Sequence, residues 1–444
     1  MVMLRPFRPL RYNPAVVGDL SAVVAPPYDV ISDAHRDALH ERSPYNVIRL
    51  ILNRAPDRYA AAAAALQAWR RDGVVRRDGD PALGYYVESF TLPDGGPRER
   101  EGVIGVMRIE PFASGHVRPH ERTFARHKED RMRILRACRT NLSPIFGLFA
   151  DREHAFDAAR AVAAARPADI DLRDDAGVRH RLWLLTEPNV IDTITGMLSA
   201  ETVFIADGHH RYETALAYRD ALRAQGATDP EAPHNFIMMY LTSMSHPGLV
   251  ILPTHRVLGR LASVDRSAVL ERLRSQFQLT SFPQSARSTF LARLREAPRR
   301  GRFGVALAGS DELVVATLED VTGLDRLAAD RAPAVRHLDV TVLDAVILRG
   351  MLQIDCTAAA QEGWLTYTHD DDAALAAVSQ GAAAAFLMNA PRIDDVQAVC
   401  LAGETMPEKS TYFYPKLLTG LLFHPLEDEP RLSAGPGSQA TALP

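Results

Sequence analysis

The stretch Val203-Phe204-Ile205-Ala206-Asp207-Gly208-His209-His210-Arg211-Tyr212-Glu213-Thr214 decides how the rest of the chain is read. Four apolar residues, Val203 to Ala206, read as a buried strand. They run straight into Asp207-Gly208, and a periodic helical stretch from about His209 to Ala224 follows, stopped by Gly226. A strand that feeds a helix in this way leaves the backbone N–H groups of the first helical turn without intrahelical acceptors, and the helix dipole adds positive potential there. That makes an anion site. Gly208 lets a phosphate approach the backbone, His209, His210 and Arg211 add donors, and Asp207 either caps the helix or holds a magnesium ion. The bland alternative is a capping aspartate beside two surface histidines. Asp, two His and Arg within five residues favour the functional reading.

Working outward, the flanks read as a mixture of strands and helices. The alanine-rich stretch from Asp57 to Arg71 is helical and ends before Asp72-Gly73. Alternating runs Leu83 to Leu92 and Gly102 to Ile109, separated by Pro93-Asp94-Gly95-Gly96, read as a β-hairpin. Arg181 to Leu185 is a further strand. Downstream, the pattern predicts helices over Arg266 to Gln276, Leu338 to Leu352 and Asp394 to Ala402, and strands over Phe303 to Ala308, Glu312 to Leu318 and Ala384 to Met388. The fold class expected is α/β with mixed α+β sheets. A boundary near residue 256 divides a domain of residues 1–255 from one of 256–430, and the Ser-, Gly-, Pro- and Ala-rich tail 431–444 is expected to be disordered.

The composition bounds the function. A chain of 444 residues with 47% hydrophobic and 24% charged residues has the make-up of a globular protein of two or more domains. No apolar run approaches the ~20 residues of a membrane helix, and the start, Met1-Val2-Met3-Leu4-Arg5-Pro6-Phe7, carries no secretory pattern, so a cytoplasmic protein is expected. Cys138, Cys356 and Cys400 are odd in number and far apart, which fits a reducing compartment and neither a disulfide framework nor a zinc knuckle. A net charge of −4 weighs against nucleic acid as a partner, although Arg118 to Arg139 carries eight Arg or Lys residues against three acids, with a helical period from Lys128 onward. Any phosphate affinity is therefore local. A small-molecule substrate is the expected partner, and homo-oligomerisation is left open.

Other candidates gather around the box. Glu121, in His120-Glu121-Arg122-Thr123, mixes a carboxylate with cations and suits a general base that takes a proton from a hydroxyl while Arg122 and its neighbours hold phosphate oxygens; a solvated loop explains it equally well. Arg126, Lys128 and Arg131 are better read as a helix face in water. Pro26-Pro27-Tyr28-Asp29 is a rigid loop with an aspartate free for a ligand or a turn, and Asn141-Leu142-Ser143-Pro144 is either a phosphate-facing loop or a connection. Glu408 to Lys416 packs two lysines, two hydroxyls and three aromatics into nine positions, so Lys409 or Lys416 is within sequence reach of a nucleotide phosphate. No glycine-rich P-loop, kinase signature set, Gly-x-Ser-x-Gly elbow or His-Glu-x-x-His motif occurs.

Several of these phrases occur together in one known family. Pro6-Phe7-Arg8-Pro9-Leu10-Arg11-Tyr12, Val24-Ala25-Pro26-Pro27-Tyr28-Asp29-Val30-Ile31, Ser43-Pro44-Tyr45-Asn46, Pro119-His120-Glu121-Arg122-Thr123, Asn141-Leu142-Ser143-Pro144, the Asp207 box and Met406 to Leu417 together resemble the bacterial family called domain of unknown function 1015. More distantly, the Asp-Gly-His-His-Arg core resembles the phosphate box of the ParB and sulfiredoxin-like superfamily, which includes nucleotide-dependent free serine kinases. That resemblance implies a ParB/sulfiredoxin-like core elaborated by insertions. It further implies a kinase that uses ATP or ADP with Mg2+ and phosphorylates a hydroxyl such as that of free L-serine. Carried onto this sequence, the resemblance has Asp207, His209, His210 and Arg211 fill the box and Glu121 act as the base. Together with the residue reading above, Glu121, Asp207 and His209 are expected to be catalytic, Asp207 also to hold the metal, and Gly208, His210, Arg211, Arg122, Lys409 and Lys416 to bind the nucleotide. Sulfiredoxin has a cysteine where this chain has a histidine, which disfavours sulfinic-acid reduction. The runner-up is a nucleotide-binding regulator with slow or no hydrolysis.

Overall fold

A computed structural model describes residues 1–92, 95–121, 123, 125–150, 156–261, 265–297, 300–319 and 331–427, with only the backbone at 125–127. The chain is α/β with mixed sheets. Its larger sheet follows the spatial order Val117–Arg118, Val203–Asp207, Ile145–Phe149, Phe236–Ser243, Pro97–Arg108, Leu83–Thr91, Arg179–Leu185, Ile170–Arg173, and Leu4–Arg5 also pairs with Pro97–Arg108. Phe236–Ser243 runs parallel to Ile145–Phe149, and Val203–Asp207 runs antiparallel to it. Both faces are covered, which is why the central strands read as unbroken apolar runs. The expected hairpin forms, with Gly84 opposite Ile104 and Thr91 opposite Pro97. Its second strand starts at Pro97 rather than Gly102, because the polar residues Arg98 to Glu101 find partners across the pair. The turn residues Pro93 and Asp94 lie outside the described residues.

The helices follow their local signals. Arg58–Arg71 begins where the Asp57 carboxylate accepts the Ala60 N–H, a capping bond worth roughly 1 kcal/mol. Ala125–Cys138 starts before Lys128, where the sequence period becomes visible. A second sheet runs in the order Phe277–Pro283, Glu312–Leu318, Arg302–Leu307, Ala384–Leu387, His255–Leu258, Leu365–Thr368. The helix expected to reach Gln276 ends at Arg274, since Phe277 already pairs with Leu318 in that sheet. Leu338 to Leu352 becomes a short helix, Asp339–Thr341, continued by a wider helical segment, Val342–Met351. The tail 431–444 lies outside the described residues.

After the second sheet the chain returns to the side chains of the first, with Phe413 packed on Phe146 and Tyr414 on Phe90, and it pairs with segments beside that sheet. Tyr412–Tyr414 pairs with Val250–Leu252, Thr419 exchanges backbone hydrogen bonds with Ala25, Phe423 with Leu10, and His424–Pro425 pairs with Thr140–Asn141. Phe413 and Phe423 are fully buried there. This return brings residues far apart in sequence to the end of the Val203–Asp207 strand.

Candidate functional site

The site begins with a bulge. Ile205 lies opposite Gly147, but Asp207 lies opposite Phe146, so Ala206 is an extra residue in its strand. Strict alternation would turn Asp207 to the face that Ile205 shares; a bulge re-aims the side chain that follows it. Asp207 instead meets the returning C-terminal segment, where Lys416 Nζ contacts its Oδ1 at 2.5 Å, while Arg211 Nη2 contacts its Oδ2 at 2.7 Å. Burial by itself would raise this carboxyl, but Lys416 and Arg211 hold it well below the usual carboxylate range. Lys416 is drawn the other way: burial would lower its ammonium, and Asp207 and Asp29 more than offset that.

Gly208 turns the strand into the helix His209–Ala224 with φ of 97°, a left-handed conformation that glycine adopts without strain. A Cβ at this position would lie 2.9 Å from Arg211 Nη2. Among the described residues no side chain caps the helix, so its first-turn N–H groups keep their anion-directed character. Arg211 also donates to the Pro144 carbonyl, which ties the Asn141-Leu142-Ser143-Pro144 loop to the box. Beside it lies a cavity of about 60 Å³ lined by Tyr28, Arg131, Ser143, Arg211 and Thr214, and the buried Arg211 Nε and Thr214 Oγ1 have no hydrogen-bond partner among the described residues.

The histidines divide. His209 is buried, and its Nε2 accepts the His120 backbone N–H at 3.3 Å. Burial first, and then the neighbouring His120, push its imidazole well below the ordinary value, so it is neutral. His120, with no exposed surface, donates from Nδ1 to the Ile205 carbonyl at 2.7 Å and accepts at Nε2 from the Thr411 hydroxyl at 2.8 Å. Burial lowers it to about 4, with the Ile205 hydrogen bond opposing. His210 sits half-buried at the start of the helix. Next to His120, Glu121 keeps about a quarter of its side chain exposed, at 27%, with Oε1 4.0 Å from His120 Nε2. Burial pushes its carboxyl up to about 7 against the pull of Lys409 and Lys416, and the charges of Asp207 and Asp29 push the same way as burial.

Of the residues singled out from sequence, Glu121, Asp207, Gly208, His209, His210, Arg211 and Lys416 therefore converge. Lys409 is exposed, with φ of 54°, and acts on Glu121 through its charge. Arg122 lies outside the described residues. Arg131 stacks on the Tyr28 ring, 3.8 Å from its centroid, and Lys128 pairs with Glu213 at 2.8 Å, so both are engaged within the fold. Three contributors are given no role by the sequence reading: His120 and Thr411, which clamp each other and lie in phrases read for Glu121 and the two lysines, and the fully buried Arg100, which lies in none of them. Arg100 pairs with the equally buried Glu88 and donates to the carbonyls of Tyr414, at 3.1 Å, and Pro415, at 2.7 Å, just ahead of Lys416.

As for a bound metal, both Asp207 oxygens are taken by cations, and no group of three or more metal-binding side chains occurs among the described residues. This donor set does not fit a resident divalent ion.

Comparison with solved structures finds a free serine kinase variant in complex with AMP, with 12% identity and a TM-score of 0.34, over 70% of this chain and 87% of that one. A conserved hypothetical protein from Pyrococcus furiosus overlaps with 14% identity and a TM-score of 0.32, over 71% and 92%. SbnI from Staphylococcus aureus, with a C-terminal truncation, overlaps with 12% identity and a TM-score of 0.34, over 73% and 87%. Among curated proteins there is no match. A family model does match, over residues 4–341, and the chain belongs to that family, described as a protein of unknown function (DUF1015).

Proposed function

We propose that this protein transfers a phosphoryl group from an adenine nucleotide, ATP or ADP, to the hydroxyl of a small molecule, with free L-serine the first acceptor to test. The observation that carries the reading is the opposition of Glu121, a partly exposed carboxyl raised to about 7, to the cations Lys409, Lys416 and Arg211 around an uncapped helix N-terminus. A base whose pKa lies near the working pH is best placed to accept a proton from a hydroxyl. Cations and first-turn N–H groups suit the charge on a transferring phosphoryl group.

In this reading Glu121 takes the acceptor's hydroxyl proton as the acceptor oxygen forms its bond to the terminal phosphorus. The bond from that phosphorus to the bridging oxygen breaks, and its electron pair leaves with the shortened nucleotide. Asp207 fixes Lys416 and Arg211 rather than reacting, and neutral His209 braces the His120 backbone. Mg2+ enters with the nucleotide as part of the substrate.

The test is a coupled assay with ATP or ADP, Mg2+ and L-serine on the wild type, Glu121→Gln and Asp207→Asn. Phosphoserine formation that falls by about 10²-fold or more in Glu121→Gln supports the assignment. Nucleotide binding without product for serine or other hydroxyl acceptors sinks the transferase reading.

A further inference from the structure

A second cavity, of about 460 Å³, lies away from the box, in the part of the chain that carries the smaller sheet. Its apolar wall includes Leu338, Val340, Met388 and Pro391, and its polar wall includes Arg300, Arg392, Asp339 and Asp395. Most of these charges are spent. Asp395 pairs with Arg300 through one oxygen and accepts the Arg392 backbone N–H through the other, at 3.4 Å, while the Arg392 guanidinium pairs with Asp394 at 2.7 Å. Asp339 differs. Among the described residues its Oδ1 accepts only the Gly301 backbone N–H, at 2.7 Å, and no cation pairs with it.

A half-buried carboxylate beside an apolar wall, with no cation paired to it among the described residues and the nearby Arg300 committed to Asp395, favours an added positive charge. We propose that this cavity binds a small ligand carrying a protonated amine on an apolar stem, with Asp339 as the counter-ion and Leu338, Val340 and Met388 packing the stem. Burial supports this by raising the Asp339 carboxyl to about 6, with the Gly301 hydrogen bond and Arg300 opposing and Asp395 adding to the rise. Arriving positive charge would reverse that. The proposal is independent of phosphoryl transfer, although Ser410, which lines the cavity, directly precedes the Thr411 that hydrogen-bonds His120.

The test uses the full chain at pH 7.5 with n-butylammonium chloride as the probe and 1-butanol as its uncharged counterpart, followed by saturation-transfer NMR titration. Wild type is expected to bind butylammonium at least about tenfold more tightly than butanol, and Asp339→Asn to remove that preference. Ala390→Trp, which adds bulk to the cavity lining and removes none of its charges, is expected to weaken both probes and keeps the test decisive should Asp339→Asn fold poorly. Equal binding of butylammonium by wild type and either variant, or no preference over butanol in the wild type, overturns the proposal.

Discussion

Glu121 pays for its position in stability. Its carboxyl is raised from the ordinary 4.5 to about 7, so the folded state holds a proton that the unfolded chain has already released. The group therefore favours folding fully below about 4.5, and that contribution is lost as pH rises through about 7. Relative to wild type, Glu121→Gln is therefore expected to be more stable at pH 8 by on the order of 1–3 kcal/mol, with the difference vanishing near pH 4.5. Urea denaturation at the two pH values measures this. An unchanged difference between them would show that the carboxyl is not held up by its surroundings. Gain of stability with loss of turnover is the pattern of a residue kept for chemistry. Asp207 behaves oppositely, since two cations hold it ionised.

At the scale of the element, the helix His209–Ala224 offers an internal comparison. Gly208 and Gly226 flank its two ends with φ of 97° and 96°, but a Cβ at Gly208 meets the Arg211 guanidinium, whereas one at Gly226 meets nothing within 4 Å. Alanine at either position costs roughly 1–2 kcal/mol of backbone strain. Only Gly208→Ala also displaces Arg211 from Asp207. It is expected to weaken nucleotide binding by about tenfold or more, while Gly226→Ala leaves binding unchanged and lowers only the melting temperature. Calorimetric titration with ADP beside thermal unfolding separates the two effects, and equal losses of binding would rule out the box as the phosphate contact.

For the whole molecule, the decisive element is the C-terminal return. Between Met406 and Leu426 it buries eight apolar side chains: Met406, Phe413, Leu417, Leu418, Leu421, Leu422, Phe423 and Leu426. At ~1.5–3 kcal/mol each, as an upper bound, they contribute about 12–24 kcal/mol. That exceeds the ~5–15 kcal/mol by which a typical domain is stable. A chain ending at Gly403 is therefore expected to lose cooperative unfolding of the larger sheet as well as the Lys416–Asp207 pair. Circular dichroism melts and limited proteolysis check it, and a truncated chain that melts like the full one would contradict the packing described.

What the sequence determined by itself was local. The strand and helix around Asp207-Gly208, the hairpin at Leu83 and the helix capped by Asp57 each follow from periodicity, glycine and capping within a few residues, and they formed there, the hairpin with a second strand that begins earlier, at Pro97. The chemical character of the box was equally legible, because Asp207, Gly208 and Arg211 are near neighbours in sequence, and the short strand-to-helix turn between them already brings the two charges together. Tertiary structure alone decided the rest. The bulge at Ala206 depends on the register of a partner strand, which no local pattern records. Lys416 reaches Asp207 across 209 positions, and Arg100 grips the Tyr414 and Pro415 carbonyls across more than 300, because the returning segment buries its aromatic and aliphatic residues against the sheet. The value near 7 at Glu121 belongs to the same level: a carboxyl's affinity for its proton is set by the burial and charges that folding assembles around it, not by the residues beside it in the chain.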